Sequence, residues 1–265
     1  MTRTYDDRMF IETFEHEYTW LNGFMRNVRR FGSKLAIIDP QMNKQWTYRQ
    51  FNVEANKLAN ALKADGVGKN DVVMEILPNC PEFCFSYVGP RKIGAITLLA
   101  NYKLNFGEMA LLIEHNEPKV IIYSADIADA VVEALKMSKH KPVRAIMADN
   151  LEEIEAPEGH ISYSDYVGSQ PVNDPDRDFE SHIYDEVIRM CTSGTSALPK
   201  SVPINDINEV LSAHDAIMHY PLNCKDICMN MTPLFHRGGS HSGGTCPTFY
   251  AVSYTHLTLP TICSV

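Results

Sequence analysis

The stretch Met190-Cys-Thr-Ser-Gly-Thr-Ser-Ala-Leu-Pro-Lys-Ser-Val202 decides how this 265-residue chain is read. Its apolar approach, Val187-Ile-Arg-Met190, has the composition of a β-strand. Four hydroxyls, on Thr192, Ser193, Thr195 and Ser196, then surround Gly194, and Lys200 stands behind Pro199. Such a loop can enclose an anion in three ways at once. Gly194 permits the backbone angles that turn successive N–H groups inward. The hydroxyls donate hydrogen bonds, and the Lys200 ammonium adds a charge-assisted one. A polyphosphate suits this chemistry best. Ser, Thr, Gly and Pro also build ordinary solvated turns, so composition alone leaves both readings open.

Two comparisons bear on the choice. Gly194 to Ser201 nearly matches the nucleotide loop G-x-x-x-x-G-K-[ST], with Pro199 where the second glycine belongs. That loop needs a backbone N–H at this point and a helix starting at the lysine. Proline has no N–H, and Pro203 close behind disfavours helix, which argues against a Walker-type NTPase. The stretch instead resembles the signature loop of the AMP-forming adenylating enzymes, the superfamily of acyl-CoA synthetases, luciferases and peptide-synthetase adenylation domains. Their pattern runs Thr-Ser-Gly-Thr-Thr-Gly-x-Pro-Lys-Gly-Val. Here it reads Thr192-Ser-Gly-Thr-Ser-Ala-Leu-Pro-Lys-Ser-Val202. Ala197 and Ser201 replace two glycines, and a Cβ at a position needing positive φ costs on the order of 1 kcal/mol.

The resemblance continues on both sides. Gly66-Val-Gly-Lys-Asn-Asp-Val-Val73, Leu77-Pro-Asn-Cys-Pro-Glu-Phe83, Gly94-Ala95 and Asn101 are similar to the family's N-terminal core in order and spacing. Pro233-Leu-Phe-His-Arg-Gly-Gly239 looks like its next motif, which borders the acyl pocket. The resemblance implies an α/β fold of mostly parallel sheets flanked by helices, a partial N-terminal domain of the adenylate-forming fold over residues 1–251.

It also implies a reaction. A carboxylate attacks the α-phosphate of ATP to give an acyl-adenylate and pyrophosphate, and the thiol of CoA then displaces AMP. Thr192, Ser193, Gly194, Thr195, Ser196, Ala197 and Lys200 would bind the ATP phosphates. His236 would be the catalytic residue, positioning the carboxylate between nucleotide and acyl pocket. ATP, Mg2+ and CoA, with a small-molecule carboxylate, are the implied ligands. Gly238-Gly239 and Gly243-Gly244 suggest room for an acyl chain or an aromatic acid.

The family's later motifs do not occur in this sequence: no Tyr-Gly-x-Thr-Glu, no Thr-Gly-Asp block and no C-terminal lid lysine. The metal ligands are therefore not identified, and the fragment by itself is expected to be inactive. Residues 252–265 do not resemble the family continuation and read as a non-native tail, set aside from fold reasoning. A core cut short in this way is expected to expose a sheet edge and an apolar face, and so to be unstable or to associate.

Composition narrows the remaining classes. A chain 45% hydrophobic and 22% charged is an ordinary globular mix. Its net charge of −9 offers no electrostatic footprint for nucleic acid or an anionic membrane. No apolar run approaches the ~20 residues of a membrane span, and the N-terminus lacks the apolar core of a signal peptide. The cysteine count is odd, at seven, and reduced thiols in a cytoplasm account for it most simply.

Periodicity fills in the elements. Leu35–Asp39, Asp71–Leu77, Ala95–Leu99, Lys119–Tyr123 and Val143–Met147 read as strands. They alternate with helices near 48–64, after Pro81, after Asn101 or Asn105, and over Ile127–Met137, which argues for a mostly parallel sheet covered on both faces. Residues 150–184 read as surface connection. Asn205 or Asp206 caps a helix whose face carries Ile207, Val210, Leu211, Ala213, His214 and Ile217. Asp226–Met231 reads as a buried strand delivering His236 at its C-terminal end.

Two rival functions stand beside the ligase. Cys224, Cys228, His236 and His241 are zinc-ligand residue types, though the middle spacer is well short of the usual ~12 residues. The other rival is a catalytically dead remnant of the fold kept for interaction, of which Ala197 and Ser201 would be early signs.

Overall fold

A computed structural model describes residues 7–148, 154–192 and 200–257. The chain opens with α1 (Asp7–Ile11), a π-helical turn at Glu12–Glu17, and α2 (Trp20–Phe31), which Thr19 caps through the Asn22 amide. β1 (Leu35–Asp39) and β2 (Lys44–Thr47) pair antiparallel. Thr47 then caps α3 (Tyr48–Ala64), and Gln50 completes the capping box by accepting the Thr47 amide at 2.9 Å. Phe51, Ala55, Leu58, Ala59 and Leu62 of α3 are fully buried, so the face read from spacing is the packed one. Gly66, at φ 78°, supplies the left-handed turn that ends the approach to the next strand.

Seven strands follow in one sheet: β3 (Val72–Ile76), β4 (Ile96–Leu99), β5 (Val120–Ser124), β6 (Arg144–Ala148), β7 (Ile161–Ser162), β8 (Glu186–Cys191) and β9 (Ser201–Asn205). Their order is β7-β6-β5-β3-β4-β8-β9, parallel throughout except for β9. The crossovers use α4 (Pro81–Val88), α5 (Phe106–Asn116), α6 (Ala128–Met137) and α7 (Tyr163–Gly168). Asn105, not Asn101, caps α5, with Glu108 closing the capping box. Val72, Met74 and Ile76 pack on one face with Met109, Leu112 and Val131, while Val73 joins the core of α3 and α4 on the other. Burial on both faces is why these strands are almost continuously apolar. β9, absent from the sequence reading, is an edge strand that tolerates Pro203.

The chain then forms α8 (Asp206–His219), β10 (Ile227–Asn230), α9 (Arg237–Ser242), α10 (Thr245–Tyr250) and β11 (Tyr254–Leu257). A second sheet runs β10-β11-β1-β2. Residues 254–257, part of the tail set aside from the sequence, lie between β10 and β1 and pair parallel with both.

Two expectations need correction here. β10 is a strand but not a buried one: Ile227 and Met229 are 58% and 63% exposed, because it sits at the sheet edge with one face uncovered. In α8, Leu211 is exposed, and the buried positions are Asp206, Glu209, Val210, Ala213 and Ala216. The packed face is thus rotated from the one expected, because it carries an ion pair rather than apolar residues alone. Among the described residues no helix is long and apolar enough to cross a membrane.

Candidate active site

Three neighbouring parallel strands, β3, β4 and β8, end on the same side of the sheet, and each leads into a segment of the candidate site. From β8 comes the signature loop. Its residues 193–199, with Ser193, Gly194, Thr195, Ser196 and Ala197, lie outside the described residues. Its two ends are described, and they clasp. The Thr192 amide donates to the Lys200 carbonyl at 2.9 Å, and the Lys200 amide donates to the Thr192 hydroxyl oxygen at 3.1 Å. The β8–β9 ladder continues beneath, with Cys191 opposite Ser201. Ser201 is therefore extended strand, where a Cβ costs nothing, and its replacement of a glycine requires no strained backbone. Burial pushes the Cys191 thiol up to about 11, which removes thiolate chemistry from the base of the loop at neutral pH.

The end of β3 supplies the anchor for His236. Asn79, almost fully buried, accepts the Leu234 amide at 2.9 Å and donates to the Thr232 carbonyl at 3.0 Å. The loop after β4 adds Tyr102, whose ring meets Phe235 edge-on at 5.8 Å. His236, held between these contacts and exposed to solvent, is the N-cap of α9. Its Nδ1 accepts the Gly238 amide at 3.2 Å. A ring nitrogen that accepts has no proton, so the neutral ring carries its proton on Nε2 and offers that N–H outward.

The glycines after His236 serve a purpose other than making room. A Cβ on Gly239 would lie 2.0 Å from the Pro233 carbonyl oxygen, and one on Gly244 would lie 2.0 Å from the Gly239 carbonyl oxygen. Both positions allow backbone to pack on backbone.

Behind α9 lies a cluster that the sequence reading missed. Glu209 of α8 is fully buried, and its carboxylate accepts from the Arg91 guanidinium and the Tyr87 hydroxyl. Its other oxygen meets His241 Nε2 at 2.5 Å. Arg91 lies over the rings of Tyr87 and Trp20, 4.3 and 4.8 Å from their centroids. Burial would raise the Glu209 carboxyl, but the Arg91 charge and the His241 contact outweigh it and hold it well below the usual range. Nothing local in the sequence singles out either charge, since Arg91 adjoins Lys92 and Glu209 follows Asp206 and Asn208.

The proposed zinc set does not assemble. His241 turns to Glu209, Cys228 lies 3.9 Å from the Ser253 hydroxyl, and Cys224 and His236 are exposed. Glu209, His241 and Cys246 do bring ligand atoms within 4.8 Å of one another. The Arg91 guanidinium already occupies that carboxylate, and its positive charge opposes a cation there.

A family model described as AMP-binding enzyme matches residues 24–252. The chain belongs to the AMP-binding enzyme family. Among curated relatives, 4-coumarate--CoA ligase 2 of Solanum tuberosum is 28% identical over 215 residues, 79% of this chain and 37% of that protein. A crotonobetaine/carnitine--CoA ligase of Proteus mirabilis (strain HI4320) is 28% identical over 193 residues, 73% of this chain and 37% of the relative. The chain thus spans well under half the length of the curated relatives it matches. The anthranilate CoA ligase AuaEII in complex with anthranoyl-AMP shares the fold, with a TM-score of 0.80 at 23% identity, over 92% of this chain and 45% of that one. The N-terminal domain of FACL13 from Mycobacterium tuberculosis superposes with a TM-score of 0.71 at 20% identity, over 91% of this chain and 57% of that one.

Proposed function

We propose that this chain is the nucleotide-gripping part of an AMP-forming carboxylic acid:CoA ligase acting in the cytoplasm. The observation that supports this most is convergence: β8 carries the loop closed by Thr192 and Lys200, while the ends of β3 and β4 hold the segment bearing His236. Crevices at the C-terminal ends of parallel strands are where open α/β sheets bind ligands.

In this reading Thr192, Ser193, Gly194, Thr195, Ser196, Ala197 and Lys200 hold the β- and γ-phosphates of ATP and orient the pyrophosphate leaving group. The clasp between Thr192 and Lys200 fixes the two described ends of the loop. His236 donates Nε2–H to one oxygen of the substrate carboxylate. This leaves the other oxygen free to attack the α-phosphate. Mg2+, entering with ATP, would neutralise phosphate charge. The chain matches 37% of the length of the curated relatives, and by itself it is proposed not to turn over.

Two measurements test the proposal. Calorimetry should detect MgATP binding by the chain. A protein extended to the length of its relatives should catalyse ATP–pyrophosphate exchange that depends on a carboxylic acid, with 4-coumarate, anthranilate, crotonobetaine and a fatty acid as the first panel. No nucleotide binding, and no exchange with any acid, would favour the catalytically dead remnant instead.

A further inference from the structure

The helix that carries His236 has little reason to form by itself. α9 is six residues long, Arg237-Gly-Gly-Ser-His-Ser, too short to be stable alone and weakened by two glycines. Its position must come from what it touches. Ser240 donates from its hydroxyl to the Leu234 carbonyl, which ties the helix only to its own approach. Two side chains reach across to α8. Arg237 donates to the Ser212 hydroxyl at 3.1 Å on the exposed surface, where water competes for both groups. His241 meets Glu209 at 2.5 Å in the interior, where water does not compete.

Glu209 is well placed to transmit position. It lies in the first turn of α8, directly after β9, and β9 is the returning arm of the loop that ends at Lys200. Its other carboxylate oxygen is fixed by Arg91 and Tyr87, both fully or nearly fully buried. One carboxylate thus joins the phosphate loop's support, the body of the domain and the helix of His236. On the His241 ring, Nδ1 has no hydrogen-bond partner among the described residues, so Nε2 is the nitrogen through which the ring acts.

We infer that Glu209 and His241 are positioning residues for His236: the buried carboxylate holds α9 in place, which keeps the Gly238 N–H under His236 Nδ1 and leaves Nε2–H presented to the substrate. The claim that this matters for a carboxylate rests on the ligase reading above. The claim about geometry does not. Neither residue touches substrate; each acts through the place it gives to His236.

The test uses the full 265-residue chain and three variants. His241→Leu removes the donor at similar volume. His241→Asn is polar but too short to reach the carboxylate. His241→Gln keeps an N–H near the original position. Amide exchange at Gly238 and the ring 15N shifts of His236 are read by NMR, with global melting followed alongside. Expected is at least a tenfold loss of Gly238 protection and a displaced His236 ring signature in His241→Leu and His241→Asn, with both restored in His241→Gln. In the extended protein, acid-dependent exchange should fall at least tenfold in kcat for the first two variants, with the KM for ATP within twofold of wild type. If Gly238 and His236 are unchanged in both His241→Asn and His241→Leu, or if Gln restores neither, the positioning role is overturned. A wild type without exchange activity sinks the ligase reading, while the Gly238 and His236 signals still decide the positioning.

Discussion

Asn79 and Leu234, 155 residues apart, share a buried hydrogen bond of 2.9 Å from the Leu234 amide to the Asn79 side-chain oxygen. The same side chain donates to the Thr232 carbonyl. One amide therefore sets the path of the backbone that enters His236, and no regular secondary structure is available there to do it. Replacing it should cost these bonds and the longer one to the Asn230 carbonyl at 3.4 Å, and leave the buried Leu234 N–H without its Asn79 acceptor. Asn79→Ala is expected to lower stability by about 2–3 kcal/mol in urea unfolding. Asn79→Asp, which keeps the acceptor but sets a second oxygen against the Thr232 and Asn230 carbonyls, should lose at least as much.

Glu209 should dominate the response to acid. Its carboxyl is held well below the ordinary 4.5, so the folded state releases this proton more readily than the unfolded chain does. The stability it contributes is present above pH ~4.5 and is lost as pH falls from there toward the depressed folded value. Glu209→Gln leaves Arg91 buried without its counter-charge. It should destabilise the fold by about 3–5 kcal/mol at pH 7 and flatten the loss below pH 5. Chemical unfolding at pH 7, 5 and 4 checks both; an equal deficit at all three would contradict the assignment.

Glu75 has the opposite sign. It lies in β3 next to its last residue, fully buried, and among the described residues neither carboxylate oxygen has a hydrogen-bond partner. Burial raises its carboxyl well above 4.5. The folded state thus favours the protonated form. Stability from this group is complete below pH ~4.5 and is lost as pH rises through the raised folded value. Glu75→Met should stabilise the chain by on the order of 1–3 kcal/mol at pH 7, with the advantage shrinking toward pH 4. Melting curves at the two pH values provide the measurement.

Lys200 is the charged member of the loop proposed to hold the ATP phosphates, and its amide already closes the loop base. Lys200→Met keeps that backbone bond and removes the ammonium. The expected outcome is at least a tenfold weaker MgATP affinity by calorimetry, equivalent to ~1.4 kcal/mol, with unchanged melting. Thr192→Val should weaken binding and also loosen the clasp, since it removes the acceptor for the Lys200 amide.

Much of this was legible in the sequence because it is local. Thr47, Asn105 and Asn205 announce helix starts by their own side chains, and the short apolar runs of β3 and β5 announce strands covered on both faces. The approach of Val187 to Met190 and the segment before His236 were visible for the same reason. What stayed hidden depends on partners far along the chain. β9 looks like loop until β8 is beside it, and Glu209 looks like surface until Arg91, 118 residues away, meets it. The burial of β10 was misjudged because an apolar run does not say whether its sheet is covered.

The uncovered strand leads to the last prediction. β10 ends its sheet, and among the described residues no strand pairs with its outer edge. Ile227 and Met229 stand exposed along it, and Met231 directly after it, at 58%, 63% and 66%. An exposed edge bearing long apolar side chains is a template for pairing with another chain, and natural edges are commonly protected by a lysine. The isolated chain should therefore associate with rising concentration. Met229→Lys places a charge on the open face without touching the core, so it should shift sedimentation toward monomer while leaving the melting temperature within a few degrees. The same substitution on the sheet's other edge, Gln45→Lys in β2, should leave association as it was, because β2 carries exposed polar residues already. If both variants sediment like the parent chain, β10 is not the surface through which the chains meet.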